Sequence, residues 1–243
     1  MSDPVPTAAI LVIGDEILSG RTKDRNVGFI ADRLTSLGID LKEVRIVSDD
    51  KAAIIEAVRA LSERYAVVFS TGGIGPTHDD ITAESVAEAF GVSAPVDPRA
   101  TAILQERYER MGQELTEARL RMARIPEGGE LIENAVSGAP GFTIRNVHVM
   151  AGVPSIMQSM LDALTPRLPT SVVMQSETIE AHRGETAVSE MLAAVQAEHP
   201  GVQIGSYPYH DGERFTTRIV ARSRDGELLA AAVDALKAGL EAS

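Results

Sequence analysis

Ser70-Thr71-Gly72-Gly73-Ile74-Gly75-Pro76-Thr77-His78-Asp79-Asp80 joins a short apolar run, Tyr65 to Phe69, to a helical pattern that begins near Ile81. Three glycines let the backbone approach a ligand closely and present its N–H groups. Two adjacent carboxylates then stand at the mouth of a helix. Backbone donors suit phosphate and carboxylates suit a divalent cation, so the pairing points to a phosphate ester handled with a metal ion. The plain alternative is a tight turn with an Asp N-cap. A single Gly-Gly would satisfy such a turn, and this loop carries more.

Working outward, strands and helices alternate through the first part of the chain. Ala8 to Ile13 is a continuous apolar run of strand length. Asn26 to Leu37 reads as a helix, with Val27, Ile30, Leu34 and Leu37 on one face and Gly38 as its stop. Ile39 to Val47 alternates like a strand, and Asp50 to Arg64 is helical with Ile54, Val58 and Leu61 in register. Ala66 to Ser70 is the next strand, and Ile81 to Phe90 a helix closed by Gly91. This βαβαβα order predicts a parallel sheet with helices on both faces. Ligands in such sheets sit beyond the carboxyl ends of the strands. Gly14-Asp15-Glu16, Asp49-Asp50 and Gly72 to Asp80 each follow a strand, so acidic and glycine-rich loops meet at one edge.

Pro95 and Pro98 open a long helix, Arg99 to Met111, and a shorter one spans Glu117 to Ala123. Phe142 to Met150 predicts a hairpin turning at Arg145-Asn146, and Gly152-Val153-Pro154 leads into a further helix. Thr165 to Ser171, with two prolines, reads as a linker. Beyond it a βαββα pattern makes a small α+β domain. The expected division is 7–168 and 172–243.

Composition narrows the partners. The 243 residues carry 23 basic and 35 acidic side chains, a net charge of −12, which disfavours nucleic acid and anionic membranes. There is no cysteine, so thiolate zinc sites and cysteine nucleophiles are excluded. The apolar runs are strand-length, so no membrane span is expected. Met1 to Pro6 lacks the charged and apolar regions of a secretory signal, and a cytoplasmic location is the default. The glycine loop lacks the Lys-Ser/Thr ending of a P-loop.

Taken together, Ile13-Gly14-Asp15-Glu16-Ile17-Leu18, Asp24-x-Asn26, Thr71 to Asp80 and Gly152-Val153-Pro154 resemble the MoaB/Mog-type molybdopterin-binding domain, in its CinA-like subgroup. The N-terminal domain of eukaryotic FAD synthases is similar. The tail, with Ile204-Gly205-Ser206-Tyr207-Pro208 and Thr217-Arg218, resembles the segment that follows this domain in both. The resemblance implies a three-layer α/β/α fold with a mainly parallel sheet, plus a small C-terminal α+β domain. It implies one of two activities. The first is metal-dependent pyrophosphatase action on ADP-ribose or FAD, favoured by the run Gly75 to Asp80. The second is molybdopterin binding that serves molybdenum cofactor synthesis as carrier or in adenylyl transfer. It also implies a homo-oligomer, dimer or trimer, with residues Pro98 to Ala123 as the expected contact arm.

The resemblance assigns functional carboxylates at Asp49 and Asp80. Asp15, Glu16, Asp79 and Asp80 are the candidate ligands for Mg, Mn or Co, with molybdopterin as the other ligand to consider. Gly72, Gly73 and Gly75 would offer amides to phosphate, and Thr71, Thr77 and His78 side-chain donors. Asn26 would meet ribose or a phosphate oxygen, and Gly14, Gly152 and Pro154 complete the loop set. Arg21 and Lys23 would add positive charge. Asp49 and Asp50 compete as caps for the helix that follows.

Overall fold

The structure, a computed structural model, describes residues 4–212 and 214–242. The reading of Met1 to Pro6 falls in part outside the described residues. The chain forms two compact units, one ending at Ser171 and one starting at Val172.

In the first unit, β1 (Thr7–Ile13), α1 (Asp15–Leu18), α2 (Asn26–Ser36), β2 (Asp40–Val47), α3 (Lys51–Arg64), β3 (Val67–Thr71) and α4 (Thr82–Phe90) alternate. They are followed by α5 (Pro98–Arg110), α6 (Glu117–Leu120) and a 3-10 turn, Arg121–Ala123. β4 (Glu130–Ile132), β5 (Gly141–Ile144), β6 (Val147–Met150) and α7 (Pro154–Leu164) complete it. The sheet order is β2-β1-β3-β6-β5-β4. β2, β1, β3 and β6 run parallel, and β5 and β4 add an antiparallel edge.

From Ala8 onward β1 is apolar and buried on both faces. Ala9, Leu11 and Ile13 pack with Ile54, Val58 and Leu61 of α3 and Val86 of α4. Ala8, Ile10 and Val12 pack with Ile30 and Leu34 of α2 and Met157, Met160 and Leu161 of α7. The period of two along the strand thus sorts its side chains into two helical layers. Local chemistry sets the ends. Asp97 accepts from the Arg99 and Ala100 amides ahead of α5, with Pro98 in its first turn. Gly91 ends α4 in the left-handed region.

The β5–β6 hairpin turns where expected, through Arg145 at φ 52°. Its guanidinium lies 4.5 Å over the Phe90 ring and donates to the Phe90 carbonyl, while Asn146 Nδ2 donates to the Ser62 and Tyr65 carbonyls. Those contacts hold an arginine in a conformation that side chains disfavour.

Several expectations are corrected. β4 and α1 were not read, because three or four residues are too short to show a period. Glu117 to Ala123 splits into α6 and the 3-10 turn. One face of Pro98 to Ala123 packs inward, with Ala100, Leu104 and Ala123 buried in the unit's own core, while Ile103 and Met111 stay exposed. Thr165 to Ser171 is no loose linker, since Leu168 is buried and the Ser171 amide donates to the Leu37 carbonyl.

The second unit is β7 (Gln175–Glu180), α8 (Glu185–Glu198), β8 (Gln203–His210), β9 (Phe215–Ser223) and α9 (Gly226–Ala242). Its antiparallel sheet has the order β7-β9-β8. Ile219 and Ala221 pack against Val188 and Val195 of α8 and Leu229 and Leu236 of α9. Among the described residues no helix is long and apolar enough to cross a membrane.

His148 of β6 gives the first unit a pH response. Its Nδ1 is 2.8 Å from Thr143 Oγ1 and its ring lies 5.4 Å from that of Phe69. Burial first, and then the Arg167 charge, lower its pKa to about 4. The folded state then binds this proton less readily than the unfolded chain. The stability is whole above the ordinary histidine range and is lost as pH falls towards 4. Between pH 7 and pH 4.5 the group contributes about 2 kcal/mol to that loss. Urea midpoints at the two pH values should fall less in His148→Gln than in the parent; an equal fall in both contradicts the assignment.

Candidate functional site

Three parallel strands end at one cleft. After β1 the chain passes Gly14, whose amide donates to the Val47 carbonyl at 3.1 Å and so ties the ends of β1 and β2 together. After β2, the two neighbouring aspartates part. Asp50 caps α3 by accepting from the Ala53 amide at 2.9 Å. Asp49 turns to the cleft, and its Oδ2 accepts from the Asp15 amide at 2.9 Å. Burial raises the pKa of the Asp49 carboxyl; the Asp15 amide opposes this, and the charges of Glu16, Asp15 and Asp79 add to it. Three further carboxylates therefore act on Asp49 here, which is an environment that favours a cation.

After β3 comes the glycine loop. Gly72, at φ 104°, sits against β1: a Cβ there would collide with the Ile13 carbonyl oxygen. Gly73, at φ 66°, has Thr82 Oγ1 in the same relation. No residue with a side chain fits either place. The Gly72 amide donates to the Met150 carbonyl at 3.1 Å, so it is held by β6 and not offered to a ligand. Asp80 closes the loop, with Oδ2 accepting from the Thr77 amide at 2.8 Å and from the Thr77 hydroxyl. The Thr77 amide and hydroxyl are therefore turned inward to the loop.

The cleft has a volume of about 580 Å³. One wall carries Glu16, Thr22, Asp49, Asp79 and Asp80; the floor is Gly14 and Gly72 to Pro76. The far wall is apolar, with Met122, Ala139, Ala151, Val153, Ile156 and Met160, and adds Asn134 and Ser137. Gly152 and Pro154 line it at the start of α7.

Of the residues expected at the site, Gly14, Glu16, Asp49, Gly72, Gly73, Gly75, Asp79, Asp80, Gly152 and Pro154 line the cleft. Others do not. The His78 side chain is 99% exposed, 4.0 Å from Asp79, and points away into solvent. Arg21 and Lys23 are exposed, and only Thr22 between them lines the cleft. Asp15 contributes its amide. Asn26 is buried, and its Nδ2 donates to the Gly152 carbonyl at 2.8 Å, so it straps α2 to the loop before α7. Asn26 Oδ1 and Thr71 Oγ1 are buried without a protein partner. Among the described residues no three His, Asp or Glu side chains are gathered closely enough to hold a metal ion alone.

Sequence reading missed the apolar wall, Asn134 and Ser137, and Arg121, whose Nη2 is 3.5 Å from the Asp80 carbonyl. The run Asn134 to Pro140, rich in loop-forming residues between two strands, was the available signal.

Residues 9–170 match the family described as "Probable molybdopterin binding domain", and residues 173–243 match "FAD synthase, middle domain". A protein of Archaeoglobus fulgidus is 35% identical over 201 residues, which cover 82% of this chain and 84% of that one. A protein of Caenorhabditis elegans named "Probable FAD synthase" is 34% identical over 255 residues, covering 95% of this chain. The match spans 49% of that worm protein, about half its length. The solved structure of the protein CinA from Thermoplasma acidophilum, described as of unknown function, superposes with a TM-score of 0.63. It is 37% identical and covers 67% of this chain and 98% of that one.

Proposed function

The chain belongs to the molybdopterin-binding-domain family, and on that premise we propose that its cleft is a metal-dependent nucleotide pyrophosphatase site acting on ADP-ribose or FAD. The observation that carries the reading is one cleft joining a glycine loop, a carboxylate wall and an apolar wall. A diphosphate bearing a flat ring system has a use for each.

The donor set fits a hard divalent cation of the kind bound by one or two carboxylates and completed by substrate phosphates, and not a preformed protein cage. Such an ion supplies charge neutralisation on the phosphoryl oxygens and a more acidic water. One or two of Glu16, Asp49 and Asp79 would hold it, with substrate phosphates and water completing its shell. Gly73 and Gly75 approach the phosphates by their backbone, with the start of α4 adding its dipole. Asp49, a cleft carboxylate whose pKa is raised by burial, takes the proton of the attacking water in this reading. The water oxygen bonds to phosphorus, the bridging P–O bond breaks, and the leaving phosphate keeps that electron pair. AMP is one product. Met122, Ile156 and Met160 bury the flat ring and exclude solvent from its face.

A second reading is that the cleft binds molybdopterin without turnover, which the match of residues 9–170 to a probable molybdopterin binding domain supports. A screen of FAD, ADP-ribose, NAD and dinucleoside polyphosphates with Mg, Mn and Co separates the two. The expected result is AMP release from ADP-ribose or FAD that stops in EDTA. No release with any metal, together with a tightly bound pterin, decides for the binding protein.

A further inference from the structure

We propose that Arg121 is the fixed counter-charge of the glycine loop, a positioning residue that acts through residues 73–80 and lets the cleft accept a dianionic diphosphate. This rests on the reading of the cleft as a phosphate site.

Arg121 opens the 3-10 turn whose next residue, Met122, lines the cleft. Arg121 itself lies on the other side of the loop. It shares a small cavity there with Gly73, Ile74, Gly75 and Asp80, residues that also line the cleft. Residues 73–75 of the loop therefore border both the guanidinium's cavity and the cleft.

Its contacts leave the charge unanswered. Nη2 reaches the Asp80 carbonyl at 3.5 Å, the outer limit of a hydrogen bond. Nε is buried without a protein partner, the one guanidinium nitrogen in that condition among the described residues. Of the two carboxylate residues that line the cavity, Glu84 is paired with Arg124 at 3.4 Å and Asp80 accepts from Thr77. No carboxylate of the described residues stands within ion-pair distance of Arg121.

Arg121 is half-buried, and a guanidinium whose Nε is buried without a partner is costly; arginine does not escape that cost by losing its proton. Its neighbours Ile125 and Phe142 make this a place where an apolar side chain would pack without penalty. What the guanidinium adds is a positive potential beside Gly73, Ile74 and Gly75, which also line the cleft. Fixed charge of that kind needs no reorganisation when an anion arrives. The opposite wall makes it necessary: Glu16, Asp49 and Asp79 repel a diphosphate, and Arg121 is the cation placed to offset them.

The test is calorimetric titration of the intact chain in EDTA, with ADP-ribose, inorganic pyrophosphate and adenosine as probes. Arg121→Met should weaken ADP-ribose and pyrophosphate about tenfold, roughly 1.4 kcal/mol, and leave adenosine unchanged. The salt dependence of ADP-ribose binding should flatten, and Arg121→Lys should keep most of the affinity. If Arg121→Met does not fold, Arg121→Gln set against Arg121→Lys gives the same comparison. An equal loss for adenosine, or unchanged binding of both charged probes, overturns the proposal. So does a parent protein that binds neither charged probe. Binding is read without turnover, so a failed hydrolysis screen removes the enzyme assignment without deciding this result.

Discussion

Asp49→Asn should lower metal-stimulated AMP release by on the order of a hundredfold or more while leaving the fold intact. The asparagine keeps an oxygen that can accept from the Asp15 amide, the contact that fixes this side chain in the parent. What it loses is the charge that orients a cation and takes a proton, and such losses commonly cost about 3 kcal/mol of transition-state stabilisation or more. The same change removes one negative charge from a crowded wall. Metal-free affinity for ADP-ribose should therefore rise slightly as turnover falls. Two neighbours serve as controls. Asp50→Ala removes the α3 cap and should cost about 1 kcal/mol of stability with little effect on rate. Asp80→Ala releases the clasp on Thr77 and should weaken binding and turnover together. A turnover number for Asp49→Asn within threefold of the parent would falsify its catalytic role.

Gly72→Val should be the most destabilising single change in the first unit, costing about 4 kcal/mol or leaving no folded protein. Three effects combine. The backbone is at φ 104°, which a β-branched residue resists; the new Cβ meets the Ile13 carbonyl; and the amide must stay on the Met150 carbonyl. Gly91→Ala isolates the first effect. Gly91 has φ 72° with nothing within 4 Å of its Cβ position, so the alanine should cost only about 1 kcal/mol. Guanidinium unfolding midpoints for both variants check the ranking. Equal midpoints would show that the close approach of β1 to the loop carries no weight.

The parallel half of the sheet was legible because its signals are local. From Ala8 onward β1 is apolar without a break, α2 and α3 show a helical period, and Gly91 marks an end. The edges of the site were not, because they depend on residues distant in sequence. Residue type alone does not separate Asp49 from Asp50, and only the family resemblance points to Asp49. The tie of Gly14 to Val47 and the capping of α3 decide which faces the cleft. His78 stands beside two cleft carboxylates and still points to solvent, since adjacency in a turn does not set side-chain direction. The Gly72 amide looked available to a ligand until β6 was paired to β3. Met122, Asn134 and Met160 reach the cleft from three separate segments, and no short motif announces such a wall.

The clamp on Gly72 also sets an order of events during synthesis. The glycine loop leaves the ribosome early, but its partners arrive at different times: Ile13 long before it, Met150 about eighty residues after it. A nascent chain that ends near residue 100 carries every glycine of the loop and lacks the strand that fixes them. Non-local pairing of this kind forms late and slowly. Ligand can first be held only when β6 has docked beside β3, so binding competence is reached near the completion of the first unit. Until then the loop is bare chain, and a protease or chaperone that samples it meets an unfinished protein.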